Sequence, residues 1–234
     1  MKNKFILIGL ALLFSLTSCH KDNNQSYNPL VNSYTCDRVS KTGDIEISFA
    51  ETFKKLDKNN LEKIVSISPN TAINVHCIDN HILQISPKEK FEPNTKYTIT
   101  VDVKSLFPDV EKKYKTFRFE VTTLPLQGRG KFLSIAPQKQ DDNLYDLDFL
   151  WVSADNETPA DAEKLVSFSE NVEVEWIHDI SGKKHQAKIK GVPAQTSAKE
   201  FSYKLNTKQN DGNETGSITI PAKDKMCVIN AKLS

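Results

Sequence analysis

The chain has 234 residues, with 31 Lys and Arg against 30 Asp and Glu, and 38% of its residues are hydrophobic. This ordinary globular composition excludes intrinsic disorder, a collagen-like chain and a small disulfide-dense scaffold. The near-neutral charge, without a basic block, also argues against nucleic acid as a partner.

Residues 1–18 predict a secretory signal peptide. Two lysines in Met1–Lys4 precede the apolar run Phe5–Leu16. That run is too short to span a membrane as a helix, which takes about 20 apolar residues. The run ends in Leu16-Thr17-Ser18-Cys19, which resembles the bacterial lipobox. The resemblance implies cleavage before Cys19 and lipidation of its thiol and amine; a soluble secreted protein cut near the same place is the alternative.

Residues 19–33 predict a lipidated tether. Several acyl chains on one residue give stable membrane anchoring, whereas a single chain binds only marginally. The segment His20–Ser33 is polar and poor in core-forming residues, which is typical of a flexible linker. The stretch from Cys19 to Asn23 resembles the export signals of surface lipoproteins of Bacteroidetes, which implies an outer-membrane anchor in the cell envelope. Both the surface and the periplasmic face remain open.

From Tyr34 to Leu124, short alternating segments predict a β-sandwich. In Asp44–Phe49, for example, Ile45, Ile47 and Phe49 fall on one face, the pattern of a half-buried strand. About seven strands with turns between them are typical of an Ig-like sandwich. The predicted segments are Asp44–Phe49, Leu61–Ser68 (a helical turn, then a strand), Ala72–Cys77, Ile82–Ser86, Tyr97–Val103 and Phe117–Thr122, with a hairpin turn at Ile78–His81.

The second half repeats this plan. Glu62–Ser68 reads EKIVSIS and Glu163–Ser169 reads EKLVSFS. A strand precedes each copy, Tyr145–Trp151 in the second half, and a hairpin follows each, Val172–Ile189 in the second half with its turn at Asp179–Lys184. The repeat predicts a second Ig-like or macroglobulin-type sandwich over residues 130–221.

The second unit is predicted to contain a short helix, and the connection between the two units is predicted to contain no strand. Thr158 fits the N-cap, Pro159 the first helical position and Asp161 the first turn of the helix. The connection, residues 124–131, contains Pro125, Gly128 and Gly130, which are expected to interrupt any strand. Residues 222–234 contain the strand-like Met226–Leu233, which is either the start of a further β unit in a longer polypeptide or a tail strand that folds back.

One stretch carries a family resemblance. Phe91–Val101 (FEPNTKYTITV) resembles the corner of fibronectin and bacterial Ig-like domains, which implies that the Tyr97 hydroxyl bonds to upstream backbone. Together with Val65–Pro69, Leu83–Pro87 and Phe117–Thr123, it resembles the Ig-like domain common in bacterial surface proteins.

The order of the segments carries a second resemblance. A lipobox, a tether, this Ig-like unit and a second β unit ending in Gly216–Pro221 resemble the N-terminal region of Bacteroidetes alpha-2-macroglobulin-like lipoproteins. Such proteins trap proteases, so the resemblance implies proteases or further domains of a longer chain as partners. The Cys-x-Glu-Gln thioester motif of many members is absent from this sequence.

The sequence contains no motif of a hydrolase, metalloprotease, phosphate loop or thiol oxidoreductase, and it predicts no catalytic residue and no cofactor. His76, Cys77, Asp79 and His81 are four possible metal ligands close together. However, adjacent strand residues point to opposite faces, and Asp79 suits the turn. We therefore predict no metal site but a hairpin, with Cys77 inside and the histidines at the rim. The equivalent group around the second turn is interpreted in the same way: His178, Asp179 and His185.

The remaining candidates also favour structural roles. Calcium takes six to eight oxygen ligands, and no loop of that kind fits the acids Asp141, Asp142, Asp146, Asp148 and Asp155. Asp146 and Asp148 instead suit the solvent face of a strand. Trp151 and Trp176 are expected in the core, with a sugar-stacking platform as the alternative. Besides Cys19, the thiols of Cys36, Cys77 and Cys227 allow at most one bridge, and Cys36–Cys77 is the alternative to free cysteines.

Together these observations predict an all-β protein of two tandem Ig-like β-sandwich domains, after a lipoprotein signal peptide and tether. The predicted function is non-enzymatic: a lipid-anchored exported protein carrying the N-terminal scaffold domains of an alpha-2-macroglobulin-like protease inhibitor. The alternative is a surface adhesion or glycan-binding lipoprotein. No ligand-binding residue can be assigned from the sequence.

Overall fold

The computed structural model describes residues 26–54, 60–207 and 214–223. The predicted signal peptide, Cys19, the strand-like segment 226–233 and Cys227 lie outside the described residues. Among the residues described, no helix is both long and apolar enough to cross a membrane.

The described residues of the first sandwich form eight strands in two sheets. Their bounds are β1 Val31–Tyr34, β2 Asp37–Val39, β3 Ile45–Phe49, β4 Val65–Ser68, β5 Ile73–Ile78, β6 Ile82–Pro87, β7 Lys96–Asp102 and β8 Thr116–Thr123. The sheets have the strand orders β1-β3-β6-β5 and β2-β8-β7-β4. All pairs are antiparallel except β2 and β8, which run parallel. A short helix, α1, spans Val103–Leu106, and 3-10 turns cover Leu61–Ile64, Asp79–His81 and Lys112–Tyr114.

In the second sandwich, the part that the structure describes forms seven strands and one helix. Their bounds are β9 Gly128–Pro137, β10 Leu144–Ser153, α2 Pro159–Leu165, β11 Val166–Phe168, β12 Glu173–His178, β13 Lys184–Pro193, β14 Lys199–Leu205 and β15 Thr215–Ile220. Thr158 caps α2 by accepting a hydrogen bond from the Asp161 N–H, as predicted. The sheets have the orders β12-β13-β10-β9 and β11-β14-β15.

The two halves have the same topology. Matching β9, β10, β12 and β13 to β1, β3, β5 and β6 gives one sheet order for both, and β11-β14-β15 matches β4-β7-β8. The described part of the second half therefore has the strand order of the first. Each half has its own hydrophobic core, one reaching from Val39 to Val121 and the other from Tyr145 to Ile220. Strand β2 has no counterpart in the described part of the second sandwich.

The predicted tyrosine corner is present in the first sandwich. Tyr97 is 1% exposed, and its hydroxyl accepts a hydrogen bond from the Glu92 N–H at 3.0 Å. The Phe91 ring packs against Tyr97 with ring centroids 5.0 Å apart. The corner fixes the 91–97 loop where the chain passes from one sheet to the other.

The connection between the sandwiches, residues 124–131, differs from the prediction, because Gly128 and Gly130 lie inside β9 instead of interrupting it. A Cβ on Gly128 would lie 2.0 Å from Trp151 Nε1, and one on Gly130 would lie 2.5 Å from the Tyr203 ring. The Gly130 N–H donates to Glu214 at 2.6 Å, and its carbonyl accepts from the Tyr203 hydroxyl at 2.5 Å. The glycines therefore let large aromatic side chains cover the strand.

The predicted tether 19–33 also overlaps folded chain. Ser26 donates its N–H to the Arg118 carbonyl at 2.9 Å and accepts the Arg118 N–H at 2.6 Å. Asn28 is buried, and Leu30 and Val31 pack against the first core. Two adjacent apolar residues in a polar segment are too weak a pattern to predict a strand, yet they suffice when a sheet edge is available.

Candidate functional site

The residues considered as metal ligands do not converge. His76 is exposed on one face of β5, while Cys77 is half-buried on the other and donates its S–H to the Asp79 carbonyl at 2.9 Å. Within the described ranges, no group of three or more His, Cys, Asp or Glu side chains is placed to hold a metal ion. Cys36 and Cys77 are not joined by a disulfide, so the alternative of a bridge between them is wrong.

The tryptophans and most of the acids also have structural places. Trp151 is fully buried, so it offers no surface for sugar stacking, and Trp176 packs half-buried against the second core. Asp146 accepts hydrogen bonds from Gln138 at 2.7 Å and the Gly191 N–H at 3.1 Å. Asp148 is exposed, as predicted for a solvent face, and accepts from Ser134 at 2.6 Å.

The structure does bring the second group of histidines together. His178 and His185 are directly opposite on β12 and β13, with their Nδ1 atoms 2.9 Å apart. His178 Nε2 lies 3.1 Å from a Glu163 carboxylate oxygen. His185 is fully buried, and its Nε2 has no hydrogen-bond partner among the described residues. Burial first, and then the neighbouring His178, lower the pKa of His185.

This lowered pKa predicts acid sensitivity. Below the ordinary histidine pKa of 6.5, the unfolded chain binds a proton that folded His185 resists. Its contribution to stability is therefore complete above pH 6.5 and is lost as the pH falls through the folded-state pKa. We expect the free energy of unfolding, measured with urea, to decrease as the pH is lowered from 7 to 5.

The His185→Phe variant should show a flatter pH dependence of the free energy of unfolding than the parent protein. The exposed His76→Phe variant is the matched control and should keep the parent slope. A His185→Phe variant with the parent slope would contradict the assignment of the acid sensitivity to this buried imidazole.

Asp155 differs from Asp146 and Asp148, because it is only 3% exposed and connects the two sandwiches. Its Oδ2 accepts the Lys41 N–H at 2.8 Å, and its Oδ1 accepts the Ser40 hydroxyl at 2.7 Å. The neighbouring Asn156 donates its Nδ2 to Thr42 Oγ1 at 2.9 Å. We call this arrangement of residues 40–42 and 155–157 the interdomain joint.

A buried ion pair completes the interdomain joint. Lys41 Nζ contacts a Glu157 carboxylate oxygen, and the two side chains are only 7% and 3% exposed. Burial raises the pKa of Glu157, and the hydrogen bond from Lys41 opposes that rise. Single charges are rarely buried so deeply unless they are paired, so the pair requires both sandwiches to keep this arrangement.

A cleft of about 480 Å³ opens beside the interdomain joint. Residues 90–94 of the first sandwich, Leu126 of the connection, and Asp161, Lys164 and Leu165 of α2 line it, together with the Lys41–Glu157 pair. At its exposed side, Lys90 Nζ lies 3.2 Å from Asp161 Oδ2. The hydrogen bond from Lys90, and then one with Thr158, lower the pKa of Asp161. We call this space the interdomain cleft.

Neither the interdomain joint nor the interdomain cleft was predicted from the sequence. Ser40 and Asp155 are 115 positions apart, and each lies in a short polar loop after a strand. The one local signal is that both loops are polar, since residues 40–43 read SKTG and residues 154–158 read ADNET.

The comparison with protein families identifies the first sandwich. Residues 25–122 match the family model described as the bacterial Ig-like domain, so this part of the chain is an Ig-like domain, as its resemblance implied. The match begins before β1, in agreement with the folded segment from Ser26. A search of curated proteins found no match.

Solved structures overlap the chain at low similarity. An L,D-transpeptidase from Mycobacterium tuberculosis is 14% identical over 72% of this chain and 80% of its own, with a TM-score of 0.30. The N-terminal part of the bacterial S-layer protein SbsC is 12% identical over 85% of this chain, with a TM-score of 0.32, and the chain spans 45% of its length. Tandem Ig domains of titin are 9% identical over 83% of this chain and 96% of their own, with a TM-score of 0.27.

Proposed function

We propose that the chain is a non-enzymatic, lipid-anchored, exported scaffold whose two sandwiches act as one stiff spacer. The interdomain joint is the observation that supports this proposal. Asp155, with two hydrogen bonds from the first sandwich, and the buried Lys41–Glu157 pair favour one relative orientation of the units. Such an arrangement suits a part that holds other domains at a fixed distance from the membrane.

The stiffness can be measured with two spin labels. We expect labels introduced as Lys104→Cys and Lys188→Cys, both exposed and one in each sandwich, in a background lacking other reactive thiols, to give one narrow distance distribution. Asp155→Ala should broaden it, because the Ser40 and Lys41 donors lose their acceptor. Asp148→Ala, which removes an exposed carboxylate far from residues 40–42, is the control. A broad distribution in the parent protein would refute the stiff spacer.

The anchor and the larger assembly have separate tests. Radiolabelled palmitate should label the parent protein in cells and fail to label Cys19→Ala; equal labelling would refute lipidation of Cys19. We propose further that the spacer belongs to an alpha-2-macroglobulin-like protease trap, on the basis of the lipobox, tether and two β units in this order. Coding sequence after Ser234 with more β domains would support the trap, and a stop codon directly after Ser234 would refute it.

A further inference from the structure

We propose that the interdomain cleft binds a neutral, hydroxyl-rich ligand, namely a short oligosaccharide. This goes beyond the spacer function, which needs the interdomain joint but no ligand. The cleft volume of about 480 Å³ falls within the roughly 300–1,000 Å³ typical of small-molecule sites. The cleft is separate from the two tryptophans, because Trp151 lies in the second core and Trp176 packs against it.

The charges of the cleft favour a neutral ligand. Its lining contains three lysines and three acids: Lys41, Lys90, Lys164, Glu92, Glu157 and Asp161. Two lysines are already paired with acids of the opposite sandwich, Lys41 with Glu157 and Lys90 with Asp161. At these two pairs an anion or a cation would meet a like charge beside the opposite one, and would gain little from them.

The same pairs suit hydroxyl groups. An ammonium has three N–H donors, and a carboxylate has about four acceptor sites. Within the described part of the chain, Lys41 Nζ has one ion-pair partner, the Glu157 carboxylate, so donors and acceptors remain side by side in a buried place. A hydroxyl both donates and accepts, and adjacent hydroxyls of a sugar can bridge such a pair. Hydrogen bonds to charged groups are also the stronger kind.

The remaining walls suit the apolar faces of sugar rings. Pro93, Leu126 and Leu165 are half-buried and line the cleft, and the Phe91 ring lies fully buried beneath them. Small-molecule sites are usually lined mainly by apolar side chains with a few placed polar groups, so a lining with six charged residues suits a ligand rich in hydroxyl groups.

An extended peptide is a poorer match. Peptides commonly bind by adding a strand to a free sheet edge, where backbone groups supply the affinity. All the lining residues of the cleft lie in loops or in α2, and none lies in a strand. The lining therefore offers no strand edge that a peptide could extend, whereas its charged side chains can bind hydroxyl groups.

The test is a titration of the protein with methyl-labelled leucine, using neutral, anionic and cationic sugars. Maltotriose, cellotriose and mannotriose are the neutral probes, with trigalacturonate and the glucosamine trimer as the charged probes. We expect at least one neutral trisaccharide to bind saturably and to shift the methyl signals of Leu126 and Leu165. The result that overturns the proposal is no neutral binding at these signals, or binding of the charged sugars alone.

Variants separate the cleft from the general surface. Lys90→Met with Asp161→Leu removes the exposed pair of the cleft and leaves the interdomain joint intact, and it should weaken binding about tenfold. Lys96→Met with Glu120→Leu removes a similar pair, 2.7 Å apart, on the first sandwich and should not change binding. Equal weakening by both double variants would overturn the proposal. The spin-label distances do not depend on this ligand, so a failure here leaves the spacer proposal standing.

Discussion

Lys41→Met is expected to lower the free energy of unfolding by about 3–5 kcal/mol, the usual cost of removing one partner from a buried ion pair. The variant leaves the buried Glu157 carboxylate without the ammonium that compensates its charge. The methionine fills a similar volume, so the loss arises from the charge and not from a cavity. Urea unfolding followed by circular dichroism at pH 7 measures it.

The matched control for Lys41→Met is the double variant Lys41→Met with Glu157→Leu. Replacing a buried ion pair by apolar residues of similar size is often neutral or stabilising, so the double variant should recover most of the lost stability. The deficit of Lys41→Met should also shrink at low pH, because burial already raises the pKa of Glu157 and the protonated side chain carries no charge. A loss below about 1 kcal/mol in the single variant would show that the pair contributes little.

Gly128→Ala is the second large effect, with an expected loss of about 3 kcal/mol, the upper part of the range for overpacking a core. The new Cβ would lie 2.0 Å from Trp151 Nε1 and 2.7 Å from the Val152 carbonyl oxygen. The fully buried indole has little room to move, because it packs at 4.7 Å against the His185 ring. Thermal unfolding and the near-ultraviolet dichroism of the tryptophans measure the change.

Two further variants test this reason for the glycine. Lys131→Ala changes an exposed residue of the same strand and should stay within about 0.5 kcal/mol of the parent. Combining Gly128→Ala with Trp151→Phe removes the colliding atom, so the two losses should be clearly less than additive. Full additivity would mean that contact with the indole is not what requires glycine at this position.

The parts of the fold that follow from local pattern were predictable. The similar seven-residue segments Glu62–Ser68 and Glu163–Ser169 predicted the repeat, because each places a helical turn directly before a strand. The hairpin at Ile78–His81 followed from alternation and turn residues. In contrast, Gly128 and Gly130 break strands by intrinsic preference, and only the positions of Trp151 and Tyr203 explain why they are kept in one.

The candidate site was hidden for a different reason. Its polar residues look like ordinary loop residues, since Ser, Thr, Asp and Asn are favoured in turns whatever they contact. The burial of Lys41 and Glu157 depends on how the two sandwiches pack together. No periodic pattern of hydrophobic residues in the sequence indicates that contact. The sequence could exclude familiar catalytic motifs, but it could not indicate that residues 40–42 and 155–157 form one cluster.

The parallel pairing of β2 and β8 determines how the first sandwich would respond to pulling. Asp37–Val39 of β2 aligns with Val121–Thr123 of β8. Tension applied between the N-terminal end of the chain and the second sandwich would pull on β2 from its N-terminal end and on β8 from its C-terminal end. These forces act in opposite directions along two parallel neighbours, so they load the hydrogen bonds between them in shear. The bonds must then fail together instead of opening one at a time, which is the geometry that resists mechanical extension best.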